Sequence, residues 1–202
     1  MASDFHTHTP DTEYPALISS TDPIAGKLTS LEFHPWHLTS SFSPDHLPAP
    51  EFAQQFTAIG EIGLDKLRGP ETGIQRQYFE KLIALARELG KPIVIHCVKS
   101  YDEIFSCLKR YPVKAMIHGF RSSPQMLDEL WKRNITVSFH PLIINNHPLL
   151  EKLKYASGSF GFESDDDPAL RIPELLDKIK LRTGINNIEQ ITDQNFADFL
   201  EL

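Results

Sequence analysis

No run of eighteen apolar residues occurs in the chain, so nothing in it reads as a bilayer-spanning helix. The first residues also lack the basic-then-apolar pattern of a secretory leader. Cysteine is scarce: Cys97 and Cys107 are the 2 in 202 residues, too few for a disulfide framework. Together these absences point to a reducing compartment and a cytoplasmic protein without a membrane partner. Positive charge is short as well, with 20 Lys and Arg against 27 Asp and Glu and a formal charge of −7. That balance argues against a broad electrostatic grip on duplex nucleic acid. It leaves room for a small positive site that takes one strand end or a small phosphorylated substrate. Internal repeats and low-complexity tracts are missing too.

What is present suits one globular domain over 1–202, since 41% of the residues are apolar and can build a core. Asp4–His8 reads as a strand, followed by a polar connection from Thr9 to Pro15 that is too short for a full helix. Ala16–Ser19 and Leu28–Phe33 read as short strands, with a helix expected after Pro50 and an apolar run at Thr57–Leu64. The clearest helix is striped by Ile74, Tyr78, Leu82, Ala86 and Leu89, and Gly90 is placed to end it. Strands and helices then alternate. Pro92–Ile95 runs into His96, Ala115–Ile117 into His118, Ile135–Phe139 into His140, and Ser159–Phe162 into Glu163-Ser164-Asp165. Helices over Pro173–Arg182 and Ile188–Leu200 close the chain. Continuous apolar strands imply a sheet covered on both faces, hence parallel pairing and an α/β fold. Eight such strands predict a compact (β/α)8 barrel, with shortened helices in the first units and a distorted or seven-stranded barrel as the variant.

Sites in such barrels form where the strands' C-terminal ends meet. In an extended strand Asp4, His6 and His8 share one face, so two imidazoles can hold one divalent ion. His6, His8, Glu61, His96, His118 and Asp165 all fall at or near a strand end. One histidine in such a place is commonly structural. Its recurrence at several strands, with two carboxylates, points to one or two divalent metals. Glu61 lies inside an apolar run, where an unpaired carboxylate would be costly to bury.

The same residues resemble the TatD-type metal-dependent hydrolases, within the amidohydrolase-like barrels. The matching stretches are Asp4–His8, His34-Pro35, Ile59–Asp65 (Ile-Gly-Glu-Ile-Gly-Leu-Asp), Gln75–Phe79, Ile95-His96, Ile117–Phe120, Glu163–Asp165 and Asn195. The resemblance implies that His6 and His8 bind a first metal with Asp165, that Glu61 bridges two metals, and that His96 and His118 hold the second. It also implies that Asp165 orients or deprotonates the attacking water, which makes Asp165 and Glu61 the candidate catalytic residues. The activity implied is hydrolysis of phosphodiester bonds, as a deoxyribonuclease acting on single-stranded ends. Zinc, manganese, magnesium, iron and nickel all suit such ligands.

This chain departs from that pattern in its phosphate-binding positions. Val98 stands where a basic residue is usual, Gly119-Phe120-Arg121 follows His118, and the last loop is the acidic Asp165-Asp166-Asp167-Pro168. Lys99 and Arg121 are the candidate replacements for substrate binding. His34 is a candidate substrate contact or proton donor, and His37 shares its loop. His140 follows a strand where the family does not require histidine, while His46 and His147 read as surface residues. Cys97 reads as a small buried residue rather than a nucleophile. Two other readings stand beside the nuclease. One is a hydrolase of a small phosphoester or amide-type bond, because the opening Asp-Phe-His-Thr-His-Thr is also similar to the histidinol-phosphatase-like phosphoesterases. The other is a non-catalytic relative that binds metal or a partner.

Overall fold

The computed structural model describes residues 2–202. Eight strands run β1 Asp4–Thr7, β2 Ala16–Ser20, β3 Leu28–Leu31, β4 Ala58–Asp65, β5 Ile93–Val98, β6 Ala115–Phe120, β7 Thr136–Phe139 and β8 Phe160–Phe162. Their spatial order follows the sequence and β8 pairs back on to β1, which is the closed parallel barrel of the (β/α)8 class. The helices are α1 Pro50–Ala53, α2 Thr72–Glu88, α3 Tyr101–Arg110, α4 Pro124–Trp131, α5 His147–Leu153, α6 Ile172–Thr183 and α7 Ile188–Leu200. As expected, the first units are cut down: no helix follows β1 or β2, and after β3 come two 3-10 turns and the single-turn α1. Among the described residues no helix is long and apolar enough to cross a membrane. By contact density the chain divides into two compact units, Ser19–Ala115 and Met1–Ile18 with Met116–Leu202.

In the Ser19–Ala115 unit, β4 and β5 form the centre. Ile59, Ile62, Leu64, Ile93, Val94 and Ile95 are buried, and Tyr78, Phe79, Leu82, Ile83 and Ala86 of α2 are buried with them. The buried stripe of α2 is therefore wider than the periodicity indicated, taking in Phe79 and Ile83. Gly90, at φ +66°, supplies the left-handed residue just past the end of that helix. Gln75 latches the end of β4, accepting from the Asp65 N–H and donating to the carbonyls of Asp65, Arg68 and Pro70. Several strand ends differ from expectation by one to three residues, and two of them bear on the site. β3 stops at Leu31 because His34 and Pro35 begin a 3-10 turn, and β5 continues to Val98 in register with Asp65.

In the other unit, β1 packs on β8, and β6, β7 and β8 pair in turn, with Phe120, Phe139 and Phe162 in one rank. Phe139 lies 5.7 Å from Phe120 and 5.9 Å from Phe162, ring to ring. Gly161 is needed because a Cβ there would strike the ring of Phe5, which packs edge-on against Phe196 of α7. Asn195 of α7 donates to the Phe160 carbonyl and ties that helix to β8. The sequence reading passed over α5 and the 3-10 turn Pro141–Asn145, which lie between β7 and β8. Both are short and carry a proline in the first turn, so neither has a long periodic stripe.

Both cysteines are free thiols, with Cys107 fully buried. Burial pushes Cys97 up to about 12 and Cys107 up to about 11. At pH 8 neither is a thiolate, and the thiolate is the reactive form. A disulfide reagent such as DTNB at pH 8 should leave the native protein unmodified over minutes and release two equivalents after guanidinium unfolding. Rapid release of one equivalent from the native protein would contradict this assignment.

Candidate metal centre

Within the Ser19–Ala115 unit, Glu61 of β4 and His96 of β5 meet because two glycines let the strands press together. A Cβ at Gly60 would collide with the Val94 carbonyl oxygen, and one at Gly63 with that of His96. Glu61 is 2% exposed, yet its Oε1 lies 2.5 Å from His96 Nδ1 and 3.1 Å from His34 Nε2. The opposite ring nitrogen of His96, Nε2, faces Asp65 Oδ2 at 3.3 Å. Asp65 is pinned in turn by Trp36 Nε1 at 2.6 Å and by the backbone N–H groups of Leu67 and Arg68. Burial works against the ionised Asp65, but the Trp36, Leu67 and His96 hydrogen bonds outweigh it and hold the carboxyl below its usual range. A neutral His96 ring carries one proton and can donate it to Glu61 or to Asp65 but not to both, so the other contact needs a second proton or a cation between its atoms. A carboxylate behind a ligating histidine is the ordinary support of a metal site.

His34 is placed differently. Its Nδ1 accepts the Trp36 N–H at 3.1 Å, so a neutral ring carries its proton on Nε2 and donates to Glu61. The residue read from sequence as a substrate contact is thus seated in the Glu61–His96 cluster. These three offer donor atoms that all lie within 4.8 Å of one another.

The second cluster is built on β1, β6 and β8. Asp4 is fully buried and joins β1 to β8, its carboxylate accepting from Ser164 N–H at 3.1 Å and Ser164 Oγ–H at 2.7 Å. Burial pushes its carboxyl up to about 7 in spite of those bonds. That pin sets the next residue, Asp165, whose N–H donates to the His6 carbonyl and whose carbonyl accepts from the His8 N–H. Asp165 adopts φ +53°, a left-handed conformation that Asp tolerates better than most residues. Its Oδ1 stands 3.9 Å from Nε2 of both His6 and His8. Two ligands of one four-coordinate ion stand about 3.3–3.6 Å apart when each bond is near 2.1 Å. The donor set is therefore slightly expanded relative to such a sphere. His118 packs on His6 with ring centroids 4.3 Å apart, and His6, His118 and Asp165 form a further group within 4.8 Å.

Behind His118 lies Glu163, fully buried, with Oε1 3.5 Å from His118 Nδ1. Burial opposes its charge, yet His118, His6 and Ser138 hold it below the usual carboxylate range. Glu163 stands behind His118 as Asp65 stands behind His96, but at charge-pair distance rather than in a hydrogen bond. The resemblance assigned His118 to a metal with His96, whereas the geometry groups it with His6 and Asp165. Both arrangements of nitrogen and oxygen donors suit a divalent cation.

The substrate-binding candidates Lys99 and Arg121 are exposed residues immediately beyond β5 and β6. Neither belongs to a donor group, but each places a cation at a strand end. The strand register continues the rank of phenylalanines into Arg121, His140 and Glu163. His140 repeats the His34 device, its Nδ1 accepting the Leu142 N–H at 3.1 Å at the head of a 3-10 turn. Burial and nearby Arg121 push its ring toward the neutral form. Sequence reasoning gave no role to Asp65, Glu163, Asp4 or Trp36. Asp65, Glu163 and Asp4 sit inside the recognised motifs, but their tasks emerge only from distances to other strands.

A family model described as TatD related DNase matches residues 24–157. The chain is 27% identical over 142 residues to an uncharacterized metal-dependent hydrolase of Methanocaldococcus jannaschii, which covers 63% of this chain and 56% of that protein. It is 33% identical over 75 residues to a protein named 3′-5′ ssDNA/RNA exonuclease TatD from Edwardsiella piscicida, covering 35% of this chain and 29% of that one. The chain thus spans about half, or less, of the length of these curated relatives. The solved structure of the TatD homologue YjjV from Escherichia coli superposes with a TM-score of 0.75 at 17% identity, covering 100% of this chain and 98% of that one. That likeness shows the shared barrel fold. Since the family model matches well over half of its length, the chain belongs to the TatD related DNase family.

Proposed function

We propose that this protein is a divalent-metal-dependent phosphodiesterase of the TatD type that shortens single-stranded DNA from an end, working in a reducing cytoplasm. The observation that carries this reading is the pair of buried imidazole–carboxylate clusters, each with a second carboxylate behind a histidine. Glu61 and His96 would hold one ion, with His34 donating to Glu61 and fixing that oxygen. His6, His8, His118 and Asp165 would hold the other. Divalent cations supply Lewis-acid chemistry there, making a water acidic near neutral pH and drawing off the charge that gathers on phosphoryl oxygens.

The chain's own residues divide the remaining work. Asp165 keeps its side chain partly solvent-accessible and accepts the proton of the attacking water. Its left-handed backbone and the Asp4–Ser164 pin hold that carboxylate in place. Water's oxygen forms the new bond to phosphorus, and the bond to the leaving sugar oxygen breaks. Arg121, at the end of β6, would meet the non-bridging oxygens of a phosphate at the Asp165 group, and Lys99, at the end of β5, those of a phosphate at the Glu61–His96 cluster. The two free thiols, Cys107 buried and Cys97 half-buried, support a reducing compartment. A second reading, hydrolysis of a small phosphoester, is favoured by the acidic Asp165–Asp167 loop and the −7 charge, which oppose a long polyanion.

End-labelled single-stranded DNA and a chromogenic phosphodiester, each with and without added Mn²⁺ or Zn²⁺, distinguish these readings. Wild type should shorten the DNA from one end, and Asp165→Asn should lose at least 100-fold in rate on both substrates, consistent with loss of a general base. Cleavage of the diester with intact DNA would favour the second reading. Undiminished turnover by Asp165→Asn would remove Asp165 from the chemistry.

The supporting carboxylates make a separate expectation. Asp65→Asn and Glu163→Gln should each weaken metal affinity by about 10- to 100-fold while leaving every direct ligand in place. Competition with a fluorescent chelator measures this without any substrate. Wild-type affinity in both variants would mean that these carboxylates serve only packing.

A further inference from the structure

Next to the Glu61–His96 cluster, within the Ser19–Ala115 unit, lies a cavity of about 390 Å³ that the hydrolytic scheme does not use. Its volume falls in the range of small-molecule sites, about 300–1,000 Å³. Phe33, Leu38 and Tyr78 give it apolar walls, and Glu32, Thr39 and His34 add polar groups. The walls are fixed rather than incidental. Tyr78 reaches up from α2, and its hydroxyl meets Thr39 Oγ1 at 2.7 Å and His46 Nδ1 at 2.6 Å and donates to the Ser41 carbonyl at 3.2 Å. The loop over 39–46 is thereby fastened to the helix. Phe33 lies 6.4 Å from Tyr78, ring to ring. Glu32 is oriented by the Ser19 hydroxyl, which donates to Oε2 at 3.1 Å. His34 belongs to both places, since it lines the cavity and donates to Glu61.

We propose that this cavity is the subsite for one nucleobase of the substrate, the base next to the scissile phosphate, with a preference for bases that carry an exocyclic amino group. The proposal rests on the phosphodiesterase reading. Aromatic and aliphatic walls receive the faces of a planar heterocycle, and stacking of that kind tolerates any base. A carboxylate within the cavity repels phosphate, so the sugar–phosphate backbone is the wrong occupant. The same carboxylate accepts from an amino group, which adenine, cytosine and guanine carry and thymine lacks. His34 then sets the distance: a base seated against it has its phosphate at the Glu61–His96 cluster. The pocket also gives a reason for substrate binding without the usual basic residue at Val98, because part of the recognition moves from phosphate to base.

Saturation-transfer NMR on the chelator-treated full chain tests this apart from catalysis, using deoxyadenosine, thymidine and deoxyribose 5-phosphate as probes. Deoxyadenosine should be saturated strongly, thymidine about ten-fold less, and deoxyribose 5-phosphate not at all. Leu38→Trp, which fills the cavity, should abolish the deoxyadenosine signal with an unchanged melting temperature, and Glu32→Gln should erase the preference over thymidine. These results would support the subsite even if the protein cleaves no DNA. No deoxyadenosine signal, or a signal undiminished in folded Leu38→Trp, would overturn it even if DNA is cleaved. A preference that survives Glu32→Gln would overturn the role given to that carboxylate.

Discussion

The closeness of β4 to β5 is the constraint on which the Glu61–His96 cluster depends. Two glycines at +147° and +152° in φ sit where any side chain would run into the neighbouring backbone. Only with both does Glu61 reach His96, and only then does Asp65 reach the far side of the same ring. A carboxylate buried in an apolar strand is normally unfavourable by several kcal/mol if left unpaired. Here the cost is offset by paired imidazoles, so the motif Gly-Glu-Ile-Gly-Leu-Asp is one packing solution rather than a row of separate functional residues.

The cluster of His6, His118 and Asp165, in the other unit, is built by different means. There the strands are joined through a side chain, with Asp4 bridging to Ser164, and the turn at Asp165 converts that join into an outward-facing carboxylate. In each cluster a carboxylate stands behind a ligand-type histidine, hydrogen-bonded to it at His96 and 3.5 Å away at His118. Orientation, not ligand supply, is what these buried acids contribute.

Much of this was legible in the chain. Strand–helix alternation gave the barrel class, and the repeated placement of His or Glu after apolar runs gave the donor residues. What stayed hidden has a physical cause. A hydrogen bond between Trp36 and Asp65, or between Ser164 and Asp4, links residues far apart in sequence, and no period or spacing encodes it. His34 reads from sequence as a substrate contact or proton donor in a loop at the rim, and nothing local encodes that its two ring nitrogens meet the Trp36 N–H and Glu61. The short α5 escaped notice because seven residues opening on His-Pro make too little of a stripe to distinguish from a loop.

The pairing of β1 with β8 bears on how the molecule is made. Thr7 and Asp165 are 158 residues apart, yet their backbones bridge. During synthesis at about 5–20 residues per second, β1 leaves the ribosome roughly ten to thirty seconds before its partner exists. Throughout that interval a strand bearing Phe5 has an open edge. The donor group that includes His6 and Asp165 therefore assembles last, after the Glu61–His96 half has all of its residues. A nascent chain stalled before residue 160 would carry the Glu61–His96 cluster and an unpaired first strand, a species suited to chaperone capture.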